Sequence, residues 1–434
     1  MHEPSSNQPQ QTLTSSHKNC ASNEEIQASP LPVFKIMSLT PPQNRGMTAL
    51  DRDAFKSTFT TLAIRAPNQL VKPLMTQLED ELLNQPRIRS VVSDGTRTDT
   101  KLILLRLDIK DVKESFAESK FDLIKQLDIV EHDFEVDYDY WTTEQILYSV
   151  MPEGDAETPS SFTTTGHIAH VNLKEENMPF KGLIAQVILD KNKKIKSVVN
   201  KTNQIDNTYR NFQMEVLAGD TNMVTELKEN DCKFRFDFSK VYWNSRLQAE
   251  HRRLVGLFKK GDYICDVMAG VGPFSIPAAK KGAIIYANDL NPASYESLCE
   301  NIKLNKIDQH IKTYNMDGRA FIKQAVCDLS SEAQDDRTFD HFIMNLPATA
   351  IEFLDAFKGL YKGRNISSDR LPMIHVHCFT RSSDPHQDIE QRVRQAMGGP
   401  IDKASYRLHW VRTVAPKKDM YCISFRLSPG IAFL

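Results

Sequence analysis

The chain has 434 residues, 40% of them hydrophobic and 25% charged, which is too long for one ordinary domain and sufficient for two or three cores. No apolar run approaches the ~18 residues needed to cross a bilayer, so a helical membrane protein is excluded and no membrane partner is expected. A net charge of -2 excludes a polycation, but a local basic patch remains compatible with a nucleic-acid partner.

Residues 1–47 are rich in Ser, Gln, Asn, Thr and Pro, show no helical or strand period, and read as a disordered tail. Arg45 is the only arginine there, and Glu3, Glu24 and Glu25 intrude, so a mitochondrial targeting signal is weak. Met37 and Met47 offer alternative starts. Residues 48–115 form a small accessory domain, with a helical pattern in "LVKPLMTQLEDELL" and a strand in "KLILLRL". Residues 116–236 open on a helical stretch, "FAESKFDLIKQL". Predicted strands follow in "FTTTGHIAHVNL", "GLIAQVILD" and "IKSVVNK", giving an α+β middle domain with a mixed sheet. From residue 237 to 434 the pattern is strand, turn, helix, strand, helix, which predicts a doubly wound α/β domain. Seven cysteines without a C-x-x-C pair indicate neither a zinc knuckle nor a disulfide framework, and suit a reducing compartment.

Within the α/β domain, "YICDVMA" is a compact strand and "GVGPF" a turn built on Gly270 and Gly272. Ser275 or its neighbour is expected to cap a short helix that Gly282 ends. The next strand, "AIIYAND", delivers Asp289 and then Leu290 at its tip, where a carboxylate can accept both ribose hydroxyls of an adenosine. A dinucleotide wants G-x-G-x-x-G, but Ser275 replaces the third glycine, and Pro273 and Pro277 crowd the helix start. S-adenosyl-L-methionine has no phosphate and asks only for close backbone approach and the ribose-binding acid, so it is the favoured ligand. The glycines alone also fit an ordinary βαβ turn. Further on, "IKTYNMDGRAF" sets Asp317 and Gly318 where the adenine amino edge would be read. "FDHFIMNLPATA" ends a fourth strand in Asn345-Leu346-Pro347, a side-chain amide and a rigid carbonyl suited to an amine-bearing base. Standing alone, Asn345 also fits a strand-end turn.

In "NSRLQAEHRRLVGLF", Ser245 and Gln248 have capping-box spacing, which predicts a helix from near Arg246. Leu247, Leu254 and Phe258 make its inward stripe, with Glu250 and His251 flanking it. A carboxylate at the margin of a buried face is a candidate for a raised pKa, while spacing alone pairs Glu250 with Arg246 at i, i+4. The basic runs 191–201 and 412–418 are candidate phosphate contacts or simply solvated turns. "HVHCF" puts His375 and His377 on one face of a strand with no third ligand in view, so it reads as a central strand and no metal site is expected.

The segments "PSSFTTTGHIAHVNL", "IDNTYRNFQMEVLAGD", "FDFSKVYWNSRLQAEHRRLV", "DVMAGVGPFSIPAA", "MNLPA" and "VRTVAPKKDMYCISF" occur in an order that resembles the archaeal and eukaryotic type of tRNA (guanine-N1-)-methyltransferase, over nearly the whole chain after residue 50. The resemblance implies a class I Rossmann-like methyltransferase domain behind an α+β domain and a small tRNA-binding domain. It implies S-adenosyl-L-methionine as methyl donor, tRNA as partner, and N1 of guanosine 37 as the site modified. It also implies support of the reading frame and the first step of wybutosine-type modification, and a monomer in cytoplasm and nucleus with a mitochondrial matrix pool. Glu250 matches the family's proposed general base, Arg210 the arginine that steadies guanine O6, and His251 a donor contact. Tyr242 and Arg246 match residues that position the flipped base and nearby backbone. Three competitors remain: an aminocarboxypropyl transferase of the same superfamily, an adenine N6 methyltransferase, and a non-catalytic tRNA-binding module. The first has no need of Glu250 or the Asn345 motif, the second usually carries an aromatic where Ala348 stands, and the third would have lost them.

Overall fold

The structure, a computed structural model, describes residues 39–152, 159–205, 212–332 and 337–434. Two compact units emerge: Thr60–Asp133, and Thr40–Phe59 together with Phe134–Leu434.

The first unit is built on a four-stranded sheet in the order Val91–Ser93, Thr100–Leu104, Ser57–Pro67, Asp128–Val136. Alternate burial of Ile64 and Ala66 puts one face against the short helices Val71–Gln77 and Glu118–Ile124, whose Leu74 and Ile124 complete the core. The predicted helix over 70–83 stops at Gln77 because the chain turns back onto the sheet, where Leu83 N donates to Leu104 O at 2.8 Å. Residues 116–127, expected to open the middle domain, lie in this unit, since its fourth strand comes only at Asp128.

In the second unit, the middle region carries a sheet in the order Thr163–Thr165, Ile168–Val171, Ser197–Ile205, Phe212–Gly219. "GLIAQVILD", predicted as a strand, belongs instead to the helix Lys181–Lys191. The reason is topological: Ile168–Val171 and Ser197–Ile205 pair in parallel, and a parallel pair needs a crossover. Leu183, Ile184, Ala185, Val187 and Ile188 are all buried, which hides the helical period in one apolar run. A hairpin, Val224–Glu229 with Cys232–Asp237, leads onward.

The C-terminal sheet has seven strands: β1 Tyr263–Asp266, β2 Ile284–Asn288, β3 Ile311–Tyr314, β4 His341–Met344, β5 Met373–Thr380, β6 Arg407–Ala415 and β7 Lys418–Arg426. Their order is β3-β2-β1-β4-β5-β7-β6. The first five run parallel, and the β6–β7 hairpin adds antiparallel edge pairing. Both faces are covered, with Ile264, Ile285 and Ile343 packed on one side and Cys265, Phe342 and Met344 on the other, hence the unbroken apolar strands. The order reverses between β1 and β4, and ligands of open α/β sheets bind at the carboxyl ends of strands beside such a reversal.

Candidate active site

The glycine turn leaves β1 at that reversal. Gly270 and Gly272 have φ of 58° and 96°, backbone that side-chain-bearing residues rarely adopt. A Cβ on Gly272 would fall 2.7 Å from Ile276 Cδ1 and 2.8 Å from Leu298 Cδ1, so the turn is packed down on its inner side. Nothing stands within 4 Å of a Cβ on Gly270, so its outer side is open to a ligand. Gly270 N donates to Asp289 Oδ2 at 2.8 Å, and Asn291 N donates to Asp289 Oδ1 at 2.9 Å. Each carboxylate oxygen therefore keeps a lone pair for a vicinal diol. Burial raises the Asp289 pKa against the pull of those two amides. Leu290, beside it, is exposed.

After β3, Asp317 Oδ1 accepts from Arg319 N at 2.9 Å and Ala320 N at 3.2 Å, holding the start of the helix Gly318–Glu332. Gly318 is explained by packing, as a Cβ there would press Val267 at 3.1 Å and the Phe353 ring at 3.2 Å. At the end of β4, Asn345 Oδ1 is buried without a hydrogen-bond partner, an acceptor waiting for a donor. The Pro347 carbonyl accepts from Phe379 N on β5 at 3.0 Å, which ties this turn to the neighbouring strand. Gly270, Asp289, Asp317 and Asn345 thus follow the carboxyl ends of four adjacent strands. An orphan acceptor, a diol-competent carboxylate and an open glycine cradle fit S-adenosyl-L-methionine.

Two features were missed by reading the sequence. Asn288, fully buried, donates through Nδ2 to Val267 O at 3.1 Å and Met316 O at 3.0 Å, and accepts from Met316 N at 2.9 Å. One amide ties the ends of β1, β2 and β3, yet in "AIIYAND" Asn288 reads only as the residue before the acid. Ser275, expected as a helix cap, caps nothing: its hydroxyl donates to Asp266 Oδ2 at 2.6 Å. Asp266 is wholly buried, which pushes its pKa up to about 7, and its Oδ1 has no partner.

The other half of the site comes from the helix α1, Gln248–Leu257. The predicted capping box does not form. Asn244 accepts from Arg246 N at 3.2 Å, a 3₁₀ turn follows over Ser245–Leu247, and the Ser245 hydroxyl donates to Thr164 O at 3.4 Å. Glu250 and His251, expected at the margin, are only 4% and 3% exposed. Arg246 donates to Thr163 Oγ1 at 3.0 Å and leaves Glu250 to others. Arg253 Nε donates to Glu250 Oε2 at 2.6 Å and its Nη2 to Oε1 at 2.7 Å, while His377 Nε2 meets Oε1 at 2.8 Å. The raised pKa expected for Glu250 is therefore corrected: burial does raise it, but Arg253 and His377 outweigh burial and bring it to about 2.

The strand of "HVHCF" runs through the sheet centre as β5, but His377 is less isolated than its sequence context suggests. Ligand atoms of Glu250, His377 and Cys422 lie within 4.8 Å of one another. Arg253 covers both Glu250 oxygens, a poor neighbour for a divalent cation, so the group is read as a hydrogen-bonded ion pair. His251 pairs through Nδ1 with Glu229 Oε1 at 2.6 Å, both buried, and its ring stands edge-on to Phe274 at 4.8 Å. Phe274 belongs to the glycine turn, so α1 and that turn share one wall.

Tyr242 is half-exposed. Burial and the charge of Arg246 lower the pKa values of Arg412 and Lys201, so cations from both basic runs converge near the base-holding residues. Elsewhere the runs are tied down: Lys191 donates to Tyr138 O, and Lys418 lies 4.3 Å over the Phe379 ring. Arg210 lies outside the described residues.

Comparison with known proteins agrees with this geometry. Residues 225–396 match the TRM5/TYW2 methyltransferase domain, and residues 143–222 the TYW2 N-terminal domain. A tRNA (guanine(37)-N(1))-methyltransferase of Batrachochytrium dendrobatidis is 46% identical, over 91% of this chain and 91% of its own length. The chain belongs to the tRNA (guanine(37)-N(1))-methyltransferase family. The Homo sapiens member is 44% identical over 91% of this chain and 79% of its own. Among solved structures, Trm5b from Pyrococcus abyssi superposes with a TM-score of 0.58 at 26% identity, covering 85% of this chain and 99% of its own. A complex of aTrm5 with tRNALeu shares the fold, with a TM-score of 0.62 at 22% identity over 85% and 100% of the two chains. The class I methyltransferase fold expected of the family is the one observed.

Proposed function

We propose that this protein transfers the methyl group of S-adenosyl-L-methionine to N1 of guanosine 37 in tRNA, beside the anticodon. The observation that carries the reading is the family match at 46% identity over 91% of the chain, joined to an intact set of ligand groups at four adjacent strand ends. The matched domain description spans both TRM5 and TYW2, so the domain alone does not separate methyl from aminocarboxypropyl transfer. The full-length relatives do, since they carry the methyltransferase name from fungi to vertebrates.

When bound, the donor supplies an electrophilic methyl group on a sulfonium. Asp289 would take the ribose hydroxyls, the Gly270 turn would admit the donor backbone-close, and Asp317 with Gly318 would border the adenine. Guanine N1 carries a proton at neutral pH, so transfer needs a base for that proton and a cation near O6. Glu250 is the candidate base, Arg210 the candidate cation, and Asn345 Oδ1 an acceptor for the guanine amine. Tyr242 and Arg246 would hold the extruded nucleotide, with Arg412 and Lys201 adding positive potential for its phosphates. In phenylalanine tRNA the product would enter wybutosine-type modification, and elsewhere it would help hold the reading frame.

Nucleoside mass spectrometry on tRNA incubated with the protein and the donor tests this. N1-methylguanosine should appear in a tRNA with G37 and be absent when residue 37 is changed. Methylation of another residue, or an aminocarboxypropyl product, would overturn the reading.

A further inference from the structure

Glu250 does not hang in the site unsupported. Its Oε1 receives two donors, His377 Nε2 at 2.8 Å and Arg253 Nη2 at 2.7 Å. Its Oε2 receives one, Arg253 Nε at 2.6 Å, and faces His409, whose Nε2 is 3.7 Å away and whose side chain is 47% exposed. The two oxygens are therefore unequal: Oε1 is saturated, by His377 from the sheet and Arg253 from its own helix, and Oε2 keeps a lone pair on the side where solvent begins. The residue that creates the inequality is His377. It is fully buried on the central strand β5, and its ring packs 5.7 Å from Phe274 of the glycine turn. Arg253 rides on the same helix as Glu250, has a part-exposed side chain and reaches the sheet through Cys422 on β7, whereas His377 stands on the sheet itself.

We infer that His377 is a positioning residue for the methyl-transfer reaction: by donating Nε2–H to Glu250 Oε1 from the fixed centre of the sheet, it turns Oε2 towards the substrate and keeps the carboxylate ionised. This rests on the reading of Glu250 as the base. The proton balance is simple. The N1–H bond of guanine breaks, its proton goes to Oε2, its electron pair forms the bond to the methyl carbon, and the sulfonium C–S pair stays on sulfur. His377 neither gains nor loses a proton in that step.

The groups that surround the pair are few. Glu250 faces Arg253 on its own helix, His377 on β5, His409 on β6 and Cys422 on β7. His377 faces Glu250 and Cys422, with His375 on its own strand and Asp266 on β1 within electrostatic range. Burial lowers the His377 pKa, but Cys422 and Glu250 raise it to about 10, so the imidazolium and the carboxylate support one another at neutral pH.

The test is single-turnover methyl transfer to tRNA across pH for the parent, His377→Leu and His377→Gln, with donor affinity from calorimetry alongside. His377→Leu removes both charge and hydrogen bond, so buried Glu250 becomes easier to protonate, and an acid limb should enter the profile between about pH 5 and 7. The rate at neutral pH should fall roughly 10-fold or more, the cost of a misplaced reacting group. His377→Gln keeps a donor at similar reach and should recover much of that rate, which a merely structural role does not predict. In a Glu250→Gln background the acid limb should vanish. If Glu250→Gln transfers methyl at the parental rate, the base assignment falls and this inference with it. If Glu250→Gln is slow yet both His377 variants keep the parental rate and pH profile, only the role of His377 is overturned. Should His377→Leu not fold, His377→Asn, too short to reach Glu250 Oε1, takes its place: a slower rate with an acid limb supports the role, and the parental rate and profile overturn it.

Discussion

Asp289 Oδ2 accepts the Gly270 amide across 2.8 Å, so the acid at the end of β2 and the glycine turn after β1 form one unit before any ligand arrives. Asp289→Ala should therefore do two things: remove the acceptor for the ribose hydroxyls and free the turn. Donor binding should weaken by about 2–3 kcal/mol, the scale of hydrogen bonds to a charged group. Isothermal titration reads this directly, and an unchanged affinity places the pocket elsewhere.

Glu250→Gln should slow methyl transfer by roughly 10²- to 10⁴-fold while leaving donor affinity near that of the parent. Arg210→Ala should behave alike, because charge developing at O6 loses its partner. Single-turnover kinetics separates chemistry from product release. A Gln variant at the parental rate would reduce Glu250 to the helix ion pair with Arg253.

The same pair sets a pH dependence of stability. Glu250 has its pKa depressed to about 2, so its contribution is complete above the ordinary ~4.3 and is lost as pH falls towards 2. His377, raised to about 10, contributes fully below the ordinary ~6.5 and loses its contribution as pH rises through 10. Urea unfolding should thus show the pair at full strength between about pH 4.5 and 6.5. Breaking it with His377→Leu should cost about 1.5–3 kcal/mol there, the scale of a hydrogen bond to a charged group, because Arg253 still pairs with Glu250.

Asp266 has the opposite sign. Its pKa is raised to about 7, so the folded state prefers it protonated, and stability declines as pH climbs from the ordinary ~3.9 towards 7. Asp266→Asn is neutral at every pH and should remove that decline, leaving the variant more stable than the parent above pH 7 by no more than about 4 kcal/mol. Equal stability of the two proteins at pH 8 would show that Asp266 is not held in a penalised state.

The accessory unit can be excised only at the right place. Phe55 is fully buried and its carbonyl accepts the Trp141 indole N–H at 2.8 Å, so residues 40–59 belong to the core of the second unit. A truncation starting near Val112 should unfold it. Replacing residues 60–133 by a short glycine linker should not, because Phe59 and Phe134 stack at 5.8 Å and bring the cut ends together. That deletion should bind the donor normally and methylate whole tRNA poorly at limiting tRNA. Full efficiency would show that the unit plays no part in tRNA recognition.

The strand, turn and acid proposed for the donor could be read in the sequence because they are local: they follow one another within residues 263–290, and strand ends need no long-range partner to be recognised. The parallel order of the sheet followed from the same alternation. Tertiary structure decided what depends on distant residues. Glu250 looks like a marginal helix carboxylate until β5 brings His377 to it across 127 positions of chain, and that contact, with Arg253, reverses the direction of its pKa. "GLIAQVILD" is a helix because two parallel strands demand a crossover, a requirement invisible in a run that is apolar on every side. Ser275 serves Asp266 instead of a helix end because the folded sheet places a wholly buried carboxyl beside its hydroxyl.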